Sequence, residues 1–485
     1  MFCLIHPGRK GKISKTFRGF ALATGIFLVC ALSAAAQAPA GEAQAASPRT
    51  ESPRTEGPLR LTPNDAVDMA IRNNLNLEMA RINLDMQRRA SDSAWNQFIP
   101  NVGVTGTIAR ANRETVQPGI PGIMPSITHP QWALMGTFSA ELVVTRAQFE
   151  NMRTLQQQFA SGLIGYERAR LQMEQGVRKM YNGILLLQAN AGLLEESYRN
   201  SRRQAEMAEA SFRAGLAPRL VWLQAQVAVE NMRPAVSDLT NTLQNLKGNF
   251  ALLLGLPHDT PLELQPVPLG VSVIPWDVAE LISRAAAGSP DIQVLQAEIM
   301  TLQAQQRTLR LQHRSPFIRF GLTVNPTFMG DPLQDTLTDT DNWQDRGNFS
   351  ITLGMNLNGL FSRTREGQQL RDMEAALQMQ NIRLAQTIRE TELEIFTMIN
   401  SLERIRTTVE VQQATVYLAE ESYRLTEEAF RAGLQDFQVV QNAALALDQA
   451  RIRLLTEQFN YINYLIDLEY ALGVPFGTLS GNGSL

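Results

Sequence analysis

The sequence predicts a mainly helical chain with a small β part, built twice on one plan of helix, strand pair and long helical hairpin. Three observations lead there. Phe212-Arg213-Ala214-Gly215-Leu216 recurs as Phe430-Arg431-Ala432-Gly433-Leu434, and Leu254-Gly255-Leu256-Pro257 recurs as Leu472-Gly473-Val474-Pro475, both at an offset of 218 residues. A shared offset across a stretch with little identity means that element lengths are repeated, which is the mark of a duplicated architecture. Each half also holds a long proline-free run of strong helix formers; the first, from about 146 to 212, would extend roughly 100 Å. Between the helical runs the apolar period switches from 3.6 to 2, the signature of half-buried strands.

In chain order, Arg9, Lys10, Lys12, Lys15 and Arg18 precede the apolar run Phe20 to Leu32 and then Ala34-Ala35-Ala36. Basic region, apolar region and small-residue site in that order read as a cleaved signal peptide over 1–36, with an uncleaved anchor as the alternative. Val29 stands before Cys30 where a lipoprotein signal needs a small residue, so no lipid anchor is expected. Residues 37–60, rich in Ala, Pro, Ser, Thr and Arg, read as a flexible leader that cannot bury a core. The first structural repeat spans 61–262, a connector 263–276, the second repeat 277–475 and a tail 476–485.

Thr62-Pro63-Asn64-Asp65 combines an N-cap, a proline at the first helical position and an acid at the third, and the helix it opens should run to about Phe98, before Pro100. Residues 101–110 then alternate, Val102, Val104 and Ile108 against Thr105, Thr107 and Ala109. A proline-rich loop follows, and Leu134 to Val144 alternates again. The long helix ends at a tip, 213–218, and a return helix runs from about Arg219 to Leu254, with Pro234 as a candidate bend. The second half repeats this order: a helix from about Trp276 to Gln312 broken near Pro290, strands at Phe317 to Val324 and Asn348 to Leu357, long helix, tip and return helix. In its long helix Ile388, Ile395, Leu402, Val409, Val416, Tyr423 and Phe430 occupy consecutive heptad positions, which implies a coiled-coil seam.

The whole chain carries a net charge of −3; without the five basic residues of the signal peptide, 39 basic residues (44 less five) face 47 acidic ones. No basic stripe exists, which excludes nucleic acid as a partner. Both cysteines, Cys3 and Cys30, fall in the signal peptide, so a disulfide framework, a thiolate metal site and a cysteine nucleophile are excluded for the exported chain. His129, His258 and His313 show no ligand spacing, and no phosphate loop, nucleophile elbow or dinucleotide fingerprint is present, so neither enzyme chemistry, metal nor cofactor is expected. Asp331, Asp335, Asp339, Asp341 and Asp345 crowd one loop, but Trp343, Gln344 and Ser350 stand where a calcium loop needs a ligand, a glycine and a closing glutamate. A solvated loop is the plain reading, with weak divalent-cation binding as the alternative.

Two strand pairs of membrane-crossing length, about 10 residues a strand, cannot close a barrel within one protomer, and open edges are not viable in lipid. Rotational symmetry would close them, placing the apolar faces against lipid and Thr137, Glu141, Arg319, Asn356 and Asn358 on a wet lumen. The long helices would continue the tube. The alternative is a soluble sheet capping a helical rod, and with it an exported coiled-coil scaffold or adaptor that has no pore.

These residues also carry a resemblance. Leu61-Thr62-Pro63-Asn64-Asp65-Ala66, Phe98-Ile99-Pro100, the two Phe-Arg-Ala-Gly-Leu tips, the two Leu-Gly-x-Pro ends and Leu360-Phe361-Ser362-Arg363 together resemble the outer-membrane factors, the TolC-like channels of tripartite efflux pumps and type I secretion systems. The resemblance implies a homotrimer with a shared twelve-stranded outer-membrane barrel and a periplasmic α-barrel. It also implies a periplasmic adaptor docked at Arg213, Gly215, Leu216, Arg431, Gly433 and Leu434, coupled to an inner-membrane transporter of the resistance-nodulation-division or ATP-binding cassette class. The sequence departs from the family in one respect. Members often place a carboxylate six residues past the tip glycine, where this chain has Val221 and Val439; the nearest acid is Asp436, which threefold symmetry would repeat as a gate ring, unless it serves only the helix dipole.

Overall fold

The computed structural model describes residues 58–113, 115–119, 121, 127–129, 131–271, 277–328, 336–339, 342–361, 363–432 and 434–479. The signal peptide, nearly all of the leader, Asp331, Asp335, Asp341 and Gly433 lie outside the described residues. The chain forms two compact units, a β unit from 98–143 and 318–353 and a helical unit from the rest.

In the β unit, β2 (Asn101–Arg110) pairs antiparallel with β5 (Trp132–Thr145) from Asn101↔Glu141 to Arg110↔Trp132. A separate short ladder joins β3 (Thr115–Gln117) to β4 (Ile127–His129). On its other side β5 meets β7 (Pro316–Val324) and β8 (Pro326–Phe328), and these neighbour β10 (Asn348–Met355) and β9 (Trp343–Asp345). The last four pieces amount to two strands, each interrupted once. Asp345 Oδ1 accepts from Asn325 N at 2.9 Å and Gly347 N at 2.8 Å, so one carboxylate satisfies the backbone at both interruptions.

Because side chains alternate along a strand, this register sorts the sheet into two faces. Asn101, Thr105 and Thr107 share one with Thr137, Ser139 and Glu141, while Val102, Val104 and Ile108 share the other with Leu134, Phe138 and Ala140. The same apolar alternation continues through Phe349, Ile351, Leu353 and Met355, all exposed. With Leu134, Phe138 and Ala140 half-exposed between them, these residues make one apolar face rather than the scattered exposure normal on a water-soluble surface.

The helical unit begins with α1 (Pro63–Asn73), where Thr62 Oγ1 accepts from Asp65 N and the Asp65 carboxylate accepts from Thr62 N, each at 3.1 Å. This reciprocal box contributes about 1 kcal/mol of helix stability. The expected single helix to Phe98 is in fact three pieces: α1, α2 (Leu75–Asp92) and a 3-10 turn, Ala94–Phe98. Asn74 makes the break, its Oδ1 accepting from Asn76 N and Leu77 N while its Nδ2 donates to Leu253 O at 2.9 Å.

Two long hairpins follow the strand pairs. The first joins α3 (Arg146–Arg213) to α4 (Arg219–Leu253), which runs through Pro234; the second joins α7 (Arg365–Arg431) to α8 (Phe437–Leu472). Between them lie α5 (Val278–Gly288) and α6 (Pro290–Arg314), divided at Pro290 as the sequence predicts. A short parallel ladder, β1 (Leu59–Leu61) with β6 (Leu262–Leu264), claims Leu59 and Arg60 from the expected leader and Glu263 and Leu264 from the expected connector. Three-residue strands are too short to display an alternation, so composition alone misplaced them.

The duplication extends into the packing. Val177, Ile184, Phe250 and Leu254 lie in one apolar core, and Ile395, Leu402, Leu468 and Leu472, each 218 positions later, lie in the other. The expected seam is fully buried at Ile395, Leu402 and Val409 and half-buried at Ile388, Val416, Tyr423 and Phe430. Glu469 closes the second core. It is 1% exposed, and its carboxylate accepts from Gly477 N at 2.9 Å and Leu479 N at 2.7 Å. Burial raises its pKa, against the opposing pull of the two amides and Arg178. The folded protein therefore holds a proton at this site at a pH where the unfolded chain has lost it, and stability should fall as pH rises from about 4.5 towards the folded value. Glu469→Gln is expected to flatten that slope in thermal unfolding measured across pH; an unchanged slope contradicts the assignment.

Candidate functional site: the hairpin tips and the sheet faces

At the first tip Phe212 stacks on Trp222 with ring centroids 5.5 Å apart, and at the second Phe430 meets Phe437 at 6.1 Å. Each pair bolts the end of one hairpin. Ala208 and Ala225 of the first hairpin share a small apolar cluster with Phe437 of the second, with Val221 and Phe430 packed against it, so the two tips are held side by side. The cluster leaves Leu216 (83% exposed) and Leu434 (77% exposed) as apolar knobs in solvent. Gly215 has φ +74°, the left-handed conformation that lets the chain turn between α3 and α4. Arg213 pairs with Glu209, and Arg431 with Glu427 at 2.6 Å, one helical turn back in each hairpin. Asp436 is exposed at the N-cap of α8 without a capping bond from its side chain.

Above the tips a cleft of about 460 Å³ opens between α3, α4, α7 and α8, lined by Ser197, Gln204, Tyr423, Asp448 and Arg451 among others. Desolvation raises the Asp448 pKa, against its hydrogen bond with Ser197 and the nearby Arg451. Gln204 Nε2 reaches Tyr423 OH at 3.5 Å, a long link between the two hairpins. The sequence shows neither the cleft nor the tip cluster, because both depend on the rotational phase of four helices at once. The recurrence of small residues at Ala208, Ala225 and Ala228, where helices meet closely, was the available signal.

The second candidate region is the polar face of the sheet. Thr137 and Asn325 are joined at 3.0 Å through Oγ1 and Oδ1, and Arg319 Nε lies 3.2 Å from Glu141 Oε1. The structure brings Glu141 and Arg319 together and places Thr137 on the same face, bonded to Asn325 rather than to the pair. Asn356 and Asn358 it does not: β10 ends at Met355, and Asn356 Oδ1 accepts from Asn358 N at 3.0 Å in the turn that follows. An asparagine that can bond its own backbone two residues on ends a strand early. Among the described residues no group of His, Cys, Asp or Glu could hold a metal ion, and no helix is long and apolar enough to cross a membrane.

The family model for outer membrane efflux proteins matches residues 66–256 and 281–474, one copy for each half of the chain. The chain belongs to the outer membrane efflux protein family. Its fold is shared with solved structures at low identity. The Campylobacter jejuni CmeC outer membrane channel superposes with a TM-score of 0.71 at 16% identity, over 85% of each chain. The outer membrane protein VceC of Vibrio cholerae gives 0.68 at 17%, over 85% of this chain and 96% of that one. The open state of the Neisseria gonorrhoeae MtrE outer membrane channel gives 0.66 at 15%, over 85% and 89%. The duplication read from the 218-residue offset is thus the duplication of an efflux-protein domain.

Proposed function

We propose that this protein is the outer-membrane duct of a tripartite export system, a homotrimer through which an energised inner-membrane transporter passes its cargo by way of a periplasmic adaptor. The observation that carries this reading is that the chain is open along matching edges at every level. β2 and β10 end the row of long strands and are exposed almost throughout. In the helical unit α2 packs on α3, α3 on α6 and α6 on α7, so α2 and α7 end a row. Both ends carry exposed apolar stripes: Leu75, Met79, Ile82 and Met86 on α2, and Met379, Ile382, Leu393 and Phe396 on α7. Towards the tips the row is α4, α3, α8, α7, and Leu220, Leu223 and Val227 on α4 face outward, as do Val411, Leu418 and Leu425 on α7. One edge matched to the other by rotation is a heterologous contact, and it buries every stripe only if the ring closes. Three copies of four long strands would give a closed barrel with the apolar face to lipid, as backbone satisfaction in a membrane requires.

In this reading the tips are the periplasmic mouth, and Leu216 and Leu434 are what the adaptor grips. The full-length protein should require detergent, have the mass of three copies by light scattering, and conduct in a planar bilayer; a water-soluble monomer without conductance returns the scaffold reading. Leu216→Asp with Leu434→Asp is expected to leave trimer and conductance intact while abolishing in-cell export and adaptor cross-linking at the tips. Full export by that variant would remove the tips from the docking surface.

A further inference from the structure

On the channel reading above, the charges on the polar face of the sheet bear on what the pore selects. Arg110, Glu141 and Arg319 are the only charged residues in β2, β5, β7 and β10. Arg110 ends β2 on the apolar face, its guanidinium 5.5 Å above the Trp132 ring, an arrangement suited to a membrane boundary. Within these four strands the polar face holds one carboxylate and one guanidinium, in contact at 3.2 Å and each about half exposed, while the Asp345 carboxylate of β9 is engaged with the backbone at the interruptions. Around them are neutral hydroxyls and amides, with Asn101 opposite Glu141 and Thr105 opposite Thr137.

We propose that the Glu141–Arg319 pair is a charge-balancing element that makes the membrane-spanning part of the pore indifferent to the sign of its permeant. A wet lumen in a low-dielectric wall focuses the field of any uncompensated charge, and threefold repetition of a lone charge would make a ring that filters ions. Pairing the two side chains across neighbouring strands turns each ring charge into a short dipole. Cationic, anionic and zwitterionic cargo then pass this section alike, and discrimination by charge is left to the helical part.

The test is the reversal potential of single channels under a KCl gradient, for the wild type, Arg319→Gln, Glu141→Gln and the double variant, each first shown to form trimers. At about 0.01 M the screening length is about 30 Å, and near 1 M it is about 3 Å. At low salt Arg319→Gln should move the reversal potential towards that of K⁺ and Glu141→Gln towards that of Cl⁻, with the double variant back at the wild-type value and both shifts lost at high salt. Glu141→Gln is isosteric and reports on its own if Arg319→Gln does not assemble. Single variants that conduct with the wild-type reversal potential, or shift alike in sign or persistently at high salt, overturn the proposal. A trimer that inserts without conducting overturns the channel reading and the role of the pair with it.

Discussion

Val104→Arg is expected to exclude the protein from the outer membrane, while Thr105→Arg, one residue on, is expected to be accepted. Val104 pairs with Phe138 on the apolar face, and Thr105 pairs with Thr137 on the polar one. An arginine facing lipid near the mid-plane costs about 2–4 kcal/mol, and the proposed trimer would incur it three times. An arginine facing water in the lumen incurs none of it, though it adds a charged ring. Heat-resistant trimers recovered from outer-membrane fractions read the difference directly. Because strand period is two, the comparison tests face assignment and nothing else: equal recovery of the two variants would mean that the sheet is wet on both sides, and the barrel would have to be abandoned.

How much of this was legible beforehand depends on how local the cause is. Strand faces were, since alternation in β2, β5 and β10 is written in consecutive residues, and so was the 218-residue repeat. The helices of the first long hairpin are bounded within a residue or so because a proline-free run of helix formers begins where the strand alternation ends and Gly215 and Pro218 punctuate the tip. The break at Asn74 was not, because its decisive partner is the carbonyl of Leu253, 179 residues away, and helical periodicity flows through the site undisturbed. The early end of β10 is hidden for the opposite reason, a very local bond from Asn358 N to Asn356 Oδ1 that an alternating pattern masks. The tips were located from the repeated motif; what joins them, Phe437 against Ala208 and Ala225, is a fact of tertiary phase.

The repeated Leu-Gly-x-Pro ends show what a motif of no chemical reactivity can be for, and they carry the other large expected effect. Gly255 follows α4 with φ +75°, and Gly473 follows α8 with φ +67°. Each is pressed against the end of the short helix that opens its own half of the chain. A Cβ on Gly255 would lie 2.6 Å from the Asn73 carbonyl oxygen, and one on Gly473 would lie 2.1 Å from that of Gly288. Leu254 and Leu472, immediately before, are buried in the two corresponding cores. The glycine thus ends the return helix and admits a backbone crossing in one step, which is why it recurs at the same offset. Alanine at either position meets both penalties at once: about 1–3 kcal/mol for a side chain held in the left-handed region, and about 1–3 kcal/mol or more for a clash. Backbone, unlike a flexible side chain, cannot swing aside. Gly215→Ala at the tip is the control, since its φ is also positive but nothing lies within 4 Å of the added carbon. Gly255→Ala and Gly473→Ala should therefore lower the thermal midpoint of the protein, or its recovery, well beyond Gly215→Ala. Three equal decrements would mean that conformation alone selects these glycines, and the crossing would then play no part in fixing the 218-residue spacing.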